Sequence, residues 1–207
     1  MAEGTVALLC TGSCVIDRRF TTTDNHLMAK AVEALPVKLI CGAIYSADGV
    51  FEQARAMLEE AFGAIDLQSP AMAFDFTDYY AEQMGRDLLR RFVSFRQLVN
   101  PGVLASAKAR TNEIEAEFAR RRDAPARPVN LDPGYITEAN LVLASMKDFS
   151  HRIYLGGGVY GEVTLMYHKG RWQKLPWTFP DYASGRYDDF LTEARQRLRS
   201  NRREETR

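Results

Sequence analysis

Nine residues near the start of the regular part of the chain, VKLICGAIY (Val37 to Tyr45), hold a single charge and no proline. A run this apolar, too short for an ordinary helix and ending in turn residues, must be covered on both faces. It is expected to form a buried central strand of a sheet that carries helices. Helices and strands alternate after it. Asp48 is placed to cap a helix whose apolar residues Phe51, Ala54, Met57, Leu58, Ala61 and Phe62 recur at helical spacing, and Gly63 ends it. Met72 to Thr77 reads as a second strand, Tyr80 to Met84 as a helical turn, and Leu88 to Phe95 as a third strand. Asn100 followed by Pro101 starts a helix that can run to about Arg122.

The link DAPARP (Asp123 to Pro128) breaks the pattern before VNL and an expected turn at Asp132-Pro133-Gly134. Two strands flank Gly156-Gly157-Gly158, and a third spans Arg171 to Leu175. A basic amphipathic helix, with Phe190, Leu191, Ala194 and Leu198 inward, closes the chain. The order strand, helix, two strands, helix, strand is that of a ferredoxin-like βαββαβ unit, which the later strands extend as a meander. The expected class is therefore α+β, a mixed, largely antiparallel sheet with helices packed on it.

At 207 residues the chain suits one core. Residues 1–27 lack core periodicity and read as an unstructured extension, 28–200 as one α+β domain, and 201–207 as a basic tail. Twenty-seven basic residues balance 27 acidic ones, which removes the simplest electrostatic argument for nucleic acid or an anionic membrane as partner. Three cysteines, Cys10, Cys14 and Cys41, complete no zinc set and fit a reducing compartment. Cys41 lies in the apolar strand and reads as a core residue. No run approaches the roughly 20 apolar residues needed to cross a bilayer, so the expected location is cytoplasmic.

The sharpest chemical clue lies on the helix from Asn100. At about 100° per residue, Leu104, Ala107, Thr111, Ile114 and Phe118 define its apolar face, and Lys108 and Glu115 fall in or beside it, with Asn112 just beyond. Inward charges need partners or water, so these residues form either a structural ion pair or one wall of a polar pocket. Asp75 and Asp78 leave the second strand three residues apart, spaced for a divalent cation or for acid and base roles; Asp78 is equally an N-cap. Asn130, Asp132 and Tyr135 surround the expected Pro-Gly turn as hydrogen-bonding candidates. Lys147, His151 and Arg152 supply three different donors to the expected hairpin, and Glu162 on the return strand can pair with Arg152. If that hairpin lines a cleft, Arg152 and Lys147 suit a phosphate or carboxylate, and His151 an acid or base near neutral pH. Trp177 in LPWTFPDY is either an aromatic wall for a base or sugar or a cover over a sheet edge.

Four segments, FDFTDYYAEQMG (Phe74 to Gly85), PVNLDPGYI (Pro128 to Ile136), SMKDFSHRIYLGGGVYGEVTL (Ser145 to Leu165) and LPWTFPDY (Leu175 to Tyr182), together resemble the bacterial and archaeal family called domain of unknown function 4416, from about Pro36 to Arg199. Because members begin close to PVKLICG, the resemblance implies Met28 as an alternative start. It implies no activity. Some relatives carry a label of GTP binding, but the chain has no GxxxxGK[ST], and its triple glycine is expected to join two antiparallel strands.

Three function classes fit these residues. The first is a small-molecule-binding or hydrolase- or transferase-like domain for an anionic, phosphorylated or nucleotide ligand, with His151, Asp132 and Asp78 as catalytic candidates and Lys108, Asn112, Glu115, Asn130, Tyr135, Lys147, Arg152, Glu162 and Trp177 as binding candidates. The second is a non-enzymatic interaction or assembly module, and the third a nucleotide-binding protein without a P-loop. Convergence of Lys108, Asp132, His151 and Arg152 on an open pocket separates the first from the second.

Overall fold

The computed structural model describes residues 31–77, 79–120 and 127–205. The expected 1–27 extension, Asp78 and the end of the expected tail lie outside them. In chain order the elements are β1 (Val37–Tyr45), α1 (Asp48–Phe62), β2 (Ile65–Gln68), β3 (Met72–Ala73), α2 (Ala81–Met84), β4 (Leu89–Val99), α3 (Leu104–Ala119), β5 (Val129–Ile136), β6 (Asn140–Ser145), β7 (Ile153–Gly156), β8 (Val159–His168), β9 (Arg171–Lys174), α4 (Pro180–Ala183) and α5 (Asp188–Glu205). They form one nine-stranded sheet in the order β2-β4-β1-β5-β6-β8-β7, with β3 beside β4 and β9 beside β8. Every pairing is antiparallel. The fold is thus α+β with a largely antiparallel sheet, and α1 and α3 each connect strands that flank a third.

β1 is the buried centre that its composition requires, with every residue covered. Leu39, Cys41, Ala43 and Tyr45 face a core shared with Phe51, Ala54 and Leu58 of α1 and Ala107, Ile114 and Phe118 of α3. Ile40 faces the other side, where Phe92, Ile136 and Leu141 meet Tyr187 and, from α5, Phe190, Leu191 and Ala194. Burial raises the Cys41 thiol far above its usual range, so it stays a neutral core residue. Among the described residues no helix is long and apolar enough to cross a membrane.

Several expected boundaries change. The strand expected at Met72 to Thr77 is confined to Met72–Ala73, because β3 meets β4 at Arg90 and Leu89, next to the start of β4. The four residues of β2 form an edge strand too short for Ile65 and Leu67 to announce. Helix α1 is preceded by Ala47, with no side-chain cap, and Asp48 instead faces Arg91 at 3.4 Å. Asn100 caps a 3-10 turn at Pro101–Val103, its side chain accepting a bond from Gly102 N at 2.8 Å, and α3 itself begins at Leu104 without a side-chain cap. The basic residues after Asn201 continue α5 to Glu205, where Arg202 donates to the Pro36 carbonyl and pairs with Glu138. The triple glycine joins β7 to β8, with positive φ at Gly156, Gly157 and Gly158.

The largest correction concerns NLDPGY. Asp132-Pro133-Gly134 is not a turn but the middle of β5, in register with Gly42, Cys41 and Ile40 of β1. On its other side β5 pairs with β6 only through Gly134, Tyr135 and Ile136. Residues two apart in a strand send their N–H groups to the same edge. Leu131 sends its own N–H to the Glu115 side chain, so Pro133, which has none, occupies the donor position on that open edge. The ladder to β6 therefore stops at Gly134, and the two halves of the sheet part. Gly134 marks the last close approach, since a Cβ there would sit 2.6 Å from Leu143 Cδ2 and from the Val142 carbonyl.

Candidate functional site

Where the sheet parts, helix α3 closes the gap from one side. It reaches both halves, packing Leu104 against Val142, Ala144 and Val159 while Ile114 and Phe118 pack under β1 and β5. Its two inward charges finish the open edge of β5. Lys108 Nζ donates to the Leu131 carbonyl at 2.8 Å, and Glu115 Oε1 accepts the Leu131 N–H at 2.8 Å. The two side chains thus stand in for a missing neighbour strand, which explains a buried lysine and carboxylate on an apolar helix face. Glu115 Oε2 also binds Arg127 at 2.7 Å. Burial is the largest influence on Glu115 and raises its pKa, against the opposing pull of Lys108 and Arg127.

Above this edge lies a cavity of about 630 Å³, within the range of ligand pockets. Lys108, Asn112, Asn130, Asp132, Lys147, Arg152 and Glu162 all line it, although they come from α3, β5, β8 and the β6–β7 loop. Asp132 is the hub of one wall: Asn130 Nδ2 donates to it at 2.7 Å and Lys108 Nζ approaches at 3.5 Å. Arg127 in turn donates to Asn130. Glu162 is the hub of the other. Its Oε2 accepts from Arg152 Nε at 2.7 Å and contacts His151 Nε2 at 2.9 Å. Arg152 Nη1 also binds Ser145 Oγ and the Lys147 carbonyl, each at 2.8 Å, which fastens the loop between β6 and β7. The pairing of Arg152 with Glu162 agrees with the sequence reading, but Lys147, His151 and Arg152 lie in that loop and not on a hairpin strand. The fold keeps only Ile153 to Gly156 for β7 because Val159 to Gly161 provide its pairing partners.

The other candidates stand elsewhere. His151 lies behind Glu162, stacked on Trp177 with ring centres 5.1 Å apart and an 8° tilt, and neither ring lines the cavity. Trp177 donates to the Val163 carbonyl at 2.8 Å and so covers β8. Tyr135 packs with Leu104 and Val142 on the α3 face, opposite Asp132. Asp75 is exposed and paired with Arg186 at 3.0 Å. Among the described residues no group of three His, Cys, Asp or Glu side chains is placed to hold a metal ion. Asp78 lies outside the described residues.

Several lining residues carry little sequence signal. Arg90 of β4 is buried on the cavity floor, with Nη2 donating to the Tyr182 hydroxyl at 2.7 Å and Nη1 3.7 Å from Asp132. Its guanidinium lies over β1 at Gly42, where an added Cβ would come within 2.9 Å of Nη2. A glycine inside an apolar strand is the one sign of such a close approach. Phe74, Phe76, Tyr79, Tyr80, Phe179 and Tyr182 supply an aromatic lining. At the rim Lys147 Nζ donates to Tyr79 Oη at 3.0 Å, and that hydrogen bond lowers the phenol's pKa. Burial pushes the Tyr182 phenol well above its ordinary value, so it is a neutral hydroxyl at any physiological pH.

The assembled site is cation-rich, partly aromatic and holds three carboxylates, of which Asp132 and Glu162 are fixed by basic neighbours. No curated protein and no solved structure matches the chain. The four family-like segments lie within residues 35–198, the stretch matched by the family model described as domain of unknown function (DUF4416), and the chain belongs to that family.

Proposed function

We propose that this chain binds an anionic small molecule in the cavity between β5 and the β6–β8 strands, as a hydrolase- or transferase-like domain or a ligand-binding one. The observation that carries the reading is convergence: seven polar residues singled out by residue type line one cavity from four separate segments. Five cations, Arg90, Lys108, Arg127, Lys147 and Arg152, face three carboxylates, Asp132, Glu162 and Asp181, so the lining favours a negative ligand. Structural ion pairs alone need no open cavity between them, which weighs against a purely structural or assembly role. Asp132 and Glu162 are the lining carboxylates with basic partners and are the candidates for proton transfer; His151 acts on the cavity through Glu162.

A thermal-shift screen against sugar phosphates, nucleotides, dicarboxylates and divalent ions tests this. An anion at 100 times its Kd adds about 2.7 kcal/mol, or roughly 5–10 °C at this chain length. A screen in which no anion moves the melting temperature beyond that of a matched-salt control contradicts the reading.

A further inference from the structure

Arg90 makes fewer bonds than its burial calls for. It is 3% exposed and among the described residues has one hydrogen bond, from Nη2 to Tyr182 Oη, and no partner for its buried Nε, while Nη1 stays 3.7 Å from Asp132. The rest of the guanidinium is boxed by rings: its carbon lies 4.9 Å from the Phe92 centroid, 5.3 Å from Tyr182 and 5.8 Å from Phe74 and Tyr187. Rings hold the cation in place without consuming its donors. A buried guanidinium is costly unless its five N–H groups find acceptors, and a planar fork facing a cavity is shaped for two oxygens of one oxyanion. Gly42 supports this arrangement, because any larger residue would push the guanidinium off β1.

A second observation concerns what else the ligand carries. Phe76, Tyr79 and Phe179 line the same cavity, and Tyr79 and Phe179 are 63% and 42% exposed. Exposed rings beside a cationic floor bury apolar surface only when a flat apolar group lies against them. The lining cations outnumber its carboxylates by two, which matches a phosphomonoester better than a carboxylate.

Resting on the anion-binding reading above, we propose that the cavity takes a phosphomonoester joined to a planar ring, with the phosphate on Arg90 and Lys108 and the ring against Phe76, Tyr79 and Phe179. Arg90 sets the anion class and the aromatic residues set the ring requirement. Tyr182 orients the guanidinium through Nη2, and the phosphate meets the Nη1 edge that now faces Asp132 at 3.7 Å, taking over that contact.

Four probes separate the parts: naphthyl phosphate, inorganic phosphate, naphthol and naphthoate, each titrated calorimetrically into the full chain. Naphthyl phosphate is expected to bind at least about tenfold tighter than each of the other three. Arg90→Met loses at least about 30-fold for naphthyl phosphate, and Arg90→Lys loses most of that because the fork is gone. Should either variant fail to fold by circular dichroism, Tyr79→Ala and Phe179→Ala carry the test from the exposed rim: each weakens naphthyl phosphate several-fold and leaves inorganic phosphate unchanged. Wild-type affinity in Arg90→Lys, equal binding of inorganic and naphthyl phosphate, or tighter binding of naphthoate overturns the proposal. So does absence of binding by naphthyl phosphate. In each of those cases an anion found in the broader screen leaves the general reading standing, whereas a blank screen removes both.

Discussion

Glu115→Leu is expected to lower the melting temperature by about 6–12 °C, a loss of roughly 3 kcal/mol. Leucine fits an apolar helix face but abandons the Leu131 N–H, which Glu115 accepts at 2.8 Å on an edge that has no other strand, and it leaves Arg127 without its carboxylate. Glu115→Gln separates the two roles. An amide oxygen still accepts the Leu131 N–H, and because burial raises the Glu115 pKa, the folded chain disfavours the charged form relative to the unfolded one. The sign is the reverse of the usual carboxylate: stability contributed by this group falls as pH rises from below the unfolded value of about 4.3 through the raised folded one. Glu115→Gln, which keeps the acceptor for Leu131 and loses only the charge facing Arg127, is therefore expected to cost less than Glu115→Leu and to flatten that part of the stability profile. Urea unfolding of wild type and both variants between about pH 4 and 7 checks it, and equal stability of wild type and Glu115→Leu at pH 7 would show that the edge needs no partner.

Glu162→Leu carries a comparable expected loss of about 3–5 kcal/mol. Its side chain is 1% exposed and serves Arg152 and His151, themselves 8% and 14% exposed, so removal strands a nearly buried guanidinium. The damage is local in origin, since Arg152 is also the clasp on Ser145 and the Lys147 carbonyl. Amide exchange in the loop from Met146 to Arg152 should rise before that of β1. Glu162→Gln keeps an acceptor for Arg152 and should lose less than half as much. A Glu162→Leu protein with unchanged melting temperature and loop protection would mean that the pair contributes nothing to holding the cavity wall.

Periodicity made much of this legible. The inward position of Lys108 and Glu115 came from helix phase and the central place of β1 from its nearly apolar composition, while the Arg152–Glu162 pair was reached from an expected hairpin although Arg152 lies in the loop before β7. The feature that creates the cavity was not legible, because Asp-Pro-Gly has two physical meanings. It favours a turn, and it also suits an open strand edge where no N–H is needed, and only the neighbours in the sheet decide between them. Arg90 was hidden for a related reason. In Arg90-Arg91 one side chain faces each side of the sheet, and alternation alone does not say which side opens into a cavity. Gly42 held the missing signal, since a glycine inside so apolar a strand marks a place where another group lies close. Lys38 shows the limit of reading charge from sequence: the apolar run implies that it is covered, as it is, but not that it reaches across β4 to Asp66 of β2.

The most direct test of the cavity as a binding site blocks it without touching its charge. Asn112 lines the cavity from α3, and Asn112→Trp places an indole in the space while every ion pair around it remains. Calorimetric titration of the anion that most stabilises the wild-type chain should show a loss of at least about tenfold in affinity for Asn112→Trp, equivalent to about 1.4 kcal/mol, with the melting temperature of the free protein changed by only a few degrees. An unchanged dissociation constant in that variant would place the ligand elsewhere and contradict the account.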